Sequence, residues 1–217
     1  MQPVIGTARL GSSSVGRLGL GLTALRPTGM WGEPARRAST VNTIRRAVEL
    51  GIGLIEVPGP FGPWADLVRD AEPEGVPIVV RLTGPASGRG SHPVDDLEVV
   101  QRRLGRHLRA GIVMVLADVA ALEELRTAGV EHLGAVIGGR PLVSLSLLDG
   151  SEAVRGPYPP SRRVLEWCEE RGLPYISGGS EAVGAGEHTI GLLEPTGRAE
   201  IERLHRDAVT PRAATPG

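Results

Sequence analysis

A closed (β/α)8 barrel is the fold that the sequence predicts, and three observations support it. Short apolar runs alternate with longer amphipathic stretches, which is the pattern of strand–helix units around a parallel sheet. Eight apolar runs of this kind follow one another, as the barrel requires. The alternative is a doubly wound sheet, but no G-x-G-x-x-G motif stands between a strand and a helix. The glycine pattern therefore favours the barrel.

The elements follow from periodicity. The expected strands are Leu18 to Leu22, Gly53 to Val57, Ile78 to Leu82, Ile112 to Leu116, His132 to Ile137, Leu142 to Leu147, Pro174 to Ser177 and Thr189 to Leu193. Amphipathic spacing predicts helices over Ala35 to Leu50, Trp64 to Ala71, Val94 to Ala110, Val119 to Ala128, Ser161 to Arg171 and Thr196 to Asp207. Before the first strand, Pro3 to Arg17 has small turn residues in its middle and predicts a hairpin.

Two connections are too short to hold a covering helix, so some outer helices are expected to be shortened or missing. They are Gly138 to Pro141, between the fifth and sixth strands, and Gly178 to Glu187, between the seventh and eighth. A missing helix leaves apolar barrel wall uncovered, and a homodimer through that wall is one expectation. We expect a single barrel domain over residues 1–209 and a flexible tail over 210–217, which is rich in Pro, Ala and Thr.

Composition excludes several classes of function. The net charge of −1 and the scattered arginines argue against a nucleic-acid partner. No apolar run approaches the roughly 18 residues of a membrane span, and the first ten residues lack an export signature, so a cytoplasmic protein is expected. All 24 basic residues are arginine, which removes Schiff-base and P-loop lysine chemistry. Cys168 falls on an apolar helical face as a core residue, and no residue spacing suggests a metal.

Three stretches near the start of the chain resemble the opening of an aldo-keto reductase: Val15 to Leu22, Trp31 to Pro34 and Thr43 to Val57. The likeness continues in order over most of the chain, at Ile78 to Leu82, His132 to Val136, Val143 to Asp149 and Val164 to Ile176. The family's barrel agrees with the strand count. The resemblance implies carbonyl reduction with NADPH, by an aspartate and a tyrosine near the second strand, a lysine after the third and a histidine after the fourth.

All four of those positions differ here. They read Glu56, Phe61, Arg81 and Ala117. Phe61 has no proton to give, and a guanidinium cannot act as a tunable amine. The family holds the nucleotide with the loops after the seventh and eighth strands, and the first of these is compressed. A helix start at Thr196 to Arg198 is left as a generic anion site. We therefore expect NADPH binding to be lost and no cofactor to be used.

Three charged residues are the candidate catalytic groups. Glu56 and Arg81 end neighbouring strands, so Glu56 is expected to act as a base while Arg81 stabilises an enolate or oxyanion. The alternative is a structural ion pair. Asp118 is the candidate for returning the proton, or else it caps the helix that begins at Val119. Candidate substrate-binding residues, which line an apolar cup or merely plug the barrel mouth, are Trp31, Phe61, Trp64, Thr83, Ser146 and Glu181.

These residues lead to three hypotheses about function. The first is a non-redox, cofactor-independent cyclase, isomerase or lyase that acts on a largely apolar small molecule, such as a polyketide-like intermediate of secondary metabolism. The second is a catalytically inactive binding or regulatory module on the same barrel. The third is a degenerate NADPH-dependent carbonyl reductase, in which water or Asp118 replaces the lost tyrosine.

Overall fold

Eight strands close into a barrel in the computed structural model, which describes residues 7–10, 13–22, 34–82, 92–105, 112–116, 119–137, 151–156, 161–178 and 189–193. The strands are β1 Thr7–Leu10, β2 Ser13–Gly16, β3 Leu18–Gly21, β4 Leu54–Pro58, β5 Ile78–Arg81, β6 Ile112–Leu116, β7 Leu133–Val136, β8 Ala153–Gly156, β9 Tyr175–Gly178 and β10 Thr189–Leu193. The helices are α1 Pro34–Glu49, α2 Trp64–Ala71, α3 Pro93–Leu104, α4 Val119–Thr127 and α5 Arg162–Glu170. None of the helices in this part of the chain is long and apolar enough to cross a membrane.

The barrel runs in the order β10-β3-β4-β5-β6-β7-β8-β9, which confirms the predicted barrel with one difference in direction. Strands β3 to β9 pair in parallel, whereas β10 is antiparallel to both of its neighbours, β3 and β9. The short segment between Gly178 and Thr189 explains the reversal, because a parallel crossover needs about a dozen residues or more. The chain therefore leaves β10 at the N-terminal end of the barrel, where Leu193 pairs with Tyr175.

The sixth barrel strand is β8, and the position expected for this strand from the sequence is wrong. The expected strand over Leu142 to Leu147 lies outside the described residues, and β8 takes its place beside β7 in parallel register. The connection from Val136 to Ala153 is therefore much longer than the four residues expected. The physical reason is that β8 carries an arginine on its inner face, so its short sequence does not look like a buried strand.

The wall at β7 and β8 is covered. Ala135 and Val154 have no exposed surface and belong to one apolar cluster with three residues of α5, namely Val164, Trp167 and Cys168. The expectation that a missing helix leaves this part of the barrel wall uncovered is therefore wrong for the described residues. The homodimer remains a prediction without that support.

Outward-facing strand residues make the main core with α1 to α4. Ile55 and Val57 of β4 pack in one cluster with Ile44 of α1 and Val68 of α2, all without exposed surface. Full burial of one such side chain is worth about 1.5–3 kcal/mol. Helix α3 ends at Leu104 and not at Ala110 as expected, because Gly105 takes a left-handed conformation (φ 71°) that closes the last turn. The last residues of the expected helix, 106–110, lie outside the described residues.

The antiparallel hairpin β1–β2, predicted from the sequence, closes the N-terminal end of the barrel. Its Leu10 and Val15 form a buried cluster with the first inward-facing strand residues, among them Leu54 and Val79. The hairpin approaches β4 at backbone contact, since a Cβ added at Gly53 would lie 2.2 Å from the backbone N and O of Gly16. This apolar floor closes the N-terminal end of the lumen to a ligand.

Candidate functional site

A buried carboxylate, that of Glu56, lies at the centre of the barrel lumen above the apolar floor. Glu56 occupies the middle of β4 and has no exposed surface. Its Oε1 accepts hydrogen bonds from Nε of Arg81 and from Nη2 of Arg155, both at 3.1 Å. Its Oε2 accepts from Nε of Arg155. Both carboxylate oxygens are therefore engaged by guanidinium groups, and we call these three residues the lumen cluster.

The lumen cluster spans the barrel. Arg81 comes from β5, next to β4, whereas Arg155 comes from β8, which lies four places from β4 on a ring of eight strands. Strand alternation directs Arg155 inward, because its register partners Val136 and Ile176 belong to the cluster inside the barrel. One glutamate thus connects two opposite walls.

The contact between Glu56 and Arg81, expected from their neighbouring strands, is present. Its surroundings favour the structural ion pair over a general base, because a substrate cannot reach a carboxylate that has no exposed surface. The side chains of Arg81 and Arg155 are 20% and 15% exposed, so the guanidinium groups are the part of the lumen cluster open to a ligand. Removing one partner of such a buried pair costs about 3–5 kcal/mol.

Arg155 is the functional candidate that sequence reasoning missed. Arg155 lies in β8, eight residues beyond the end of the expected sixth strand, Leu142 to Leu147. The available signal was the alternation in Ala153–Gly156, where Arg155 stands between a valine and a glycine. Its pairing with Glu56, 99 residues away, depends on barrel closure and has no local signature.

The loop after β4 forms the described part of the rim. The Gly59 amide donates to the Arg81 carbonyl at 2.7 Å, and Nη1 of Arg103 donates to the Pro60 carbonyl at 2.9 Å. These bonds hold the loop against β5 and α3, and Phe61 is 54% exposed on it. Trp64, by contrast, begins α2 and packs against the main core, so it is less available to a ligand than expected.

The other expected site residues lie outside the described part of the chain. These are Trp31, Thr83, Asp118, Ser146 and Glu181, together with Ala117 and the helix start at Thr196 to Arg198. Their positions in the site remain predictions. Among the described residues, no group of three His, Cys, Asp or Glu side chains could hold a metal ion.

A buried tyrosine and the cysteine lie behind the barrel wall and not in the lumen. Tyr175 and Cys168 share the cluster between β7, β8 and α5. Burial raises the pKa of the Cys168 thiol to about 12, against a smaller opposing effect of Arg171. Burial also raises the pKa of Tyr175, to which Cys168 adds, while the Arg155 guanidinium opposes the shift. Tyr175 faces the helix layer, so it does not replace the tyrosine acid of aldo-keto reductases.

The described residues do not fit the NADPH site that the family resemblance implies. That site needs the C-terminal ends of the seventh and eighth strands on one face of the barrel. Here β10 runs in the opposite direction, so its C-terminal residue Leu193 lies at the end closed by the hairpin. The C-terminal end of β10, after which the resemblance places one of the two nucleotide-binding loops, is therefore at the opposite end of the barrel from the C-terminal end of β9.

Seven parallel strands, a closing strand and the helices outside them form a (β/α)8-type barrel, and comparison with solved structures gives it the aldo-keto reductase fold. A glycerol dehydrogenase of Gluconobacter oxydans, AKR11B4, superposes with a TM-score of 0.61 at 20% identity, over 84% of this chain and 65% of that one. A candidate aldo-keto reductase from Pseudomonas aeruginosa gives a TM-score of 0.61 at 19% identity, over 85% and 84% of the two chains.

At the level of sequence, an uncharacterized oxidoreductase of Schizosaccharomyces pombe is 32% identical over 208 residues. The alignment covers 79% of this chain and 64% of the relative. No protein-family model matches the sequence. The chain thus has the aldo-keto reductase fold and spans less than two thirds of the yeast protein and of the glycerol dehydrogenase.

Proposed function

We propose that this barrel is a cofactor-independent cyclase, isomerase or lyase that acts on a largely apolar carbonyl compound, such as a polyketide-like intermediate. The observation that carries the proposal is the pair of guanidinium groups held in the lumen by Glu56. Donors fixed where negative charge develops are a strong source of catalysis, because they need no reorganisation during the reaction.

The chemistry that suits this arrangement is removal of a proton next to a carbonyl group. The carbon–hydrogen bond breaks, its electron pair moves to the carbonyl oxygen, and Arg81 donates hydrogen bonds to the enolate that forms. The sequence offers Asp118 as the group that returns the proton, and in this proposal Asp118 also takes the proton up before it passes to carbon or to a leaving group. In this proposal Glu56 is a positioning residue that orients Arg81 and Arg155.

A degenerate reductase is the second candidate, and the names of the similar proteins favour it. Two of them are described as an oxidoreductase and a glycerol dehydrogenase. The phenylalanine at the position of the tyrosine acid and the reversed β10 argue against it. Titration of the protein with NADPH, followed through nicotinamide and tryptophan fluorescence, separates the two candidates. Saturable binding at micromolar concentration would support the reductase and overturn cofactor independence.

Hydrogen exchange at carbon tests the proposed chemistry without knowledge of the natural substrate. The protein is incubated in D2O with a panel of alkyl and aryl ketones, without cofactor, and deuterium entry at the α-carbon is followed by NMR. We expect catalysed exchange for at least one ketone, reduced about 100-fold or more in Arg81→Met, since one oxyanion donor is worth that much. The matched control is Arg162→Met, which changes an arginine that is 84% exposed. Equal exchange with and without protein across the panel would contradict the proposal.

A further inference from the structure

We propose that Arg155 binds a carboxylate group of the ligand, so that the barrel accepts small apolar carboxylic acids that also carry a carbonyl group. The inference rests on the proposed function for the location of the site. It adds the chemical class of the substrate.

Arg155 offers the geometry that a carboxylate needs. Its Nε and Nη2 donate to Glu56, and within the part of the chain that the structure describes its Nη1 contacts no acceptor. The side chain is 15% exposed, whereas the glutamate beneath it has no exposed surface. A guanidinium presents its donors in a planar fork that matches a carboxylate, so the outer edge of Arg155 can receive a second one.

The arginine is also held in place before any ligand arrives. Two hydrogen bonds to Glu56 fix the guanidinium plane, and Glu56 is itself tied to Arg81 on the neighbouring strand. A donor that is already ordered loses less conformational entropy on binding. Its attraction for an anion is stronger in a partly desolvated lumen than in water.

The surroundings of the lumen cluster favour an acid with an apolar body. Beneath the cluster, the barrel is filled by aliphatic side chains such as Leu54, Val79 and Ile176. On the rim, Phe61 is exposed on a loop that the Gly59 amide and Arg103 hold in place. A cationic site between an apolar floor and an aromatic rim suits a molecule with one carboxylate and a hydrocarbon chain.

Calorimetric titration of the whole chain with octanoate and with its neutral analogue octanamide tests the inference. We expect octanoate to bind about tenfold or more tightly than octanamide, the effect of one charge-assisted hydrogen bond. Arg155→Met should abolish this preference, and Arg162→Met should retain it.

Folding of each variant is checked by circular dichroism. If Arg155→Met does not fold, the double variant Glu56→Gln/Arg155→Met, which leaves no carboxylate unpaired in the lumen, takes its place and should show no preference. Equal affinity for octanoate and octanamide in the native chain would overturn the inference. So would competition by inorganic phosphate as strong as that by octanoate. Deuterium exchange into ketones without any octanoate preference would overturn this inference alone, whereas the preference without exchange would overturn only the proposed chemistry.

Discussion

Arg155→Met is expected to destabilise the protein by about 3–5 kcal/mol, because it leaves a fully buried carboxylate with one guanidinium partner in place of two. Glu56→Gln should cost less, about 1.5–3 kcal/mol. The groups it leaves unpaired are side chains 15% and 20% exposed, which water can reach. Arg155→Met is therefore expected to lose more stability than Glu56→Gln, because water cannot reach the carboxylate of Glu56 but can reach the two arginines.

The measurement is urea unfolding at pH 7, followed by circular dichroism for the native chain, both single variants and the double variant. Because Glu56 and Arg155 are in contact, the double variant should be more stable than the sum of the single losses predicts, by about 1–3 kcal/mol. Arg162→Met, in an exposed pair with Glu166, should change stability by less than about 0.5 kcal/mol. An Arg155→Met loss below about 1 kcal/mol, or strictly additive losses, would refute the reasoning.

Two further predictions concern the floor of the barrel and the layer behind its wall. Gly53→Ala should destabilise the protein by about 1–3 kcal/mol, because the new Cβ would lie 2.2 Å from the backbone of Gly16 and one of the two backbone segments would have to move. A urea midpoint equal to that of the native chain would contradict the close contact. The raised pKa of Cys168 predicts alkaline instability. The folded chain keeps the thiol proton up to about pH 12, whereas an unfolded thiol releases it near 9.0, so stability present below pH 9 is lost as the pH rises between these values. Tyr175 acts in the same direction. In Cys168→Ala the urea midpoint should fall less between pH 9 and 11, and in the native chain iodoacetamide at pH 8 should label Cys168 only after unfolding.

Hydrophobic patterning was sufficient to predict the barrel, since most strands are short apolar runs that are buried on both faces and alternate with amphipathic helices. It failed at β8, where one of the two residues that face the lumen is a charged arginine, Arg155. The direction of β10 was predictable in principle from the length of the segment before Thr189, because that segment is too short for a helical crossover.

Part of the candidate site was likewise predictable from the sequence and part of it was not. Glu56 and Arg81 could be paired from the sequence, because they lie on strands that are neighbours in any parallel barrel with one helix between each pair. Arg155 could not be added to them. Its partner lies on the opposite wall, and a contact across the lumen depends on the number of strands, their shear and the correct identity of β8. Hydrophobic patterns within short segments of the sequence do not determine the strand number or the shear of a barrel.

The reversed strand β10 also bears on how the barrel folds. A strand that returns beside its predecessor closes a short loop, so the β9–β10 pair can form early and at small entropic cost. The seam between β10 and β3 joins strands from opposite ends of the described chain and is the non-local contact that completes the ring. Folding should therefore end with a hairpin docking onto β3, and substitutions at that seam should slow ring closure while leaving the hairpin intact.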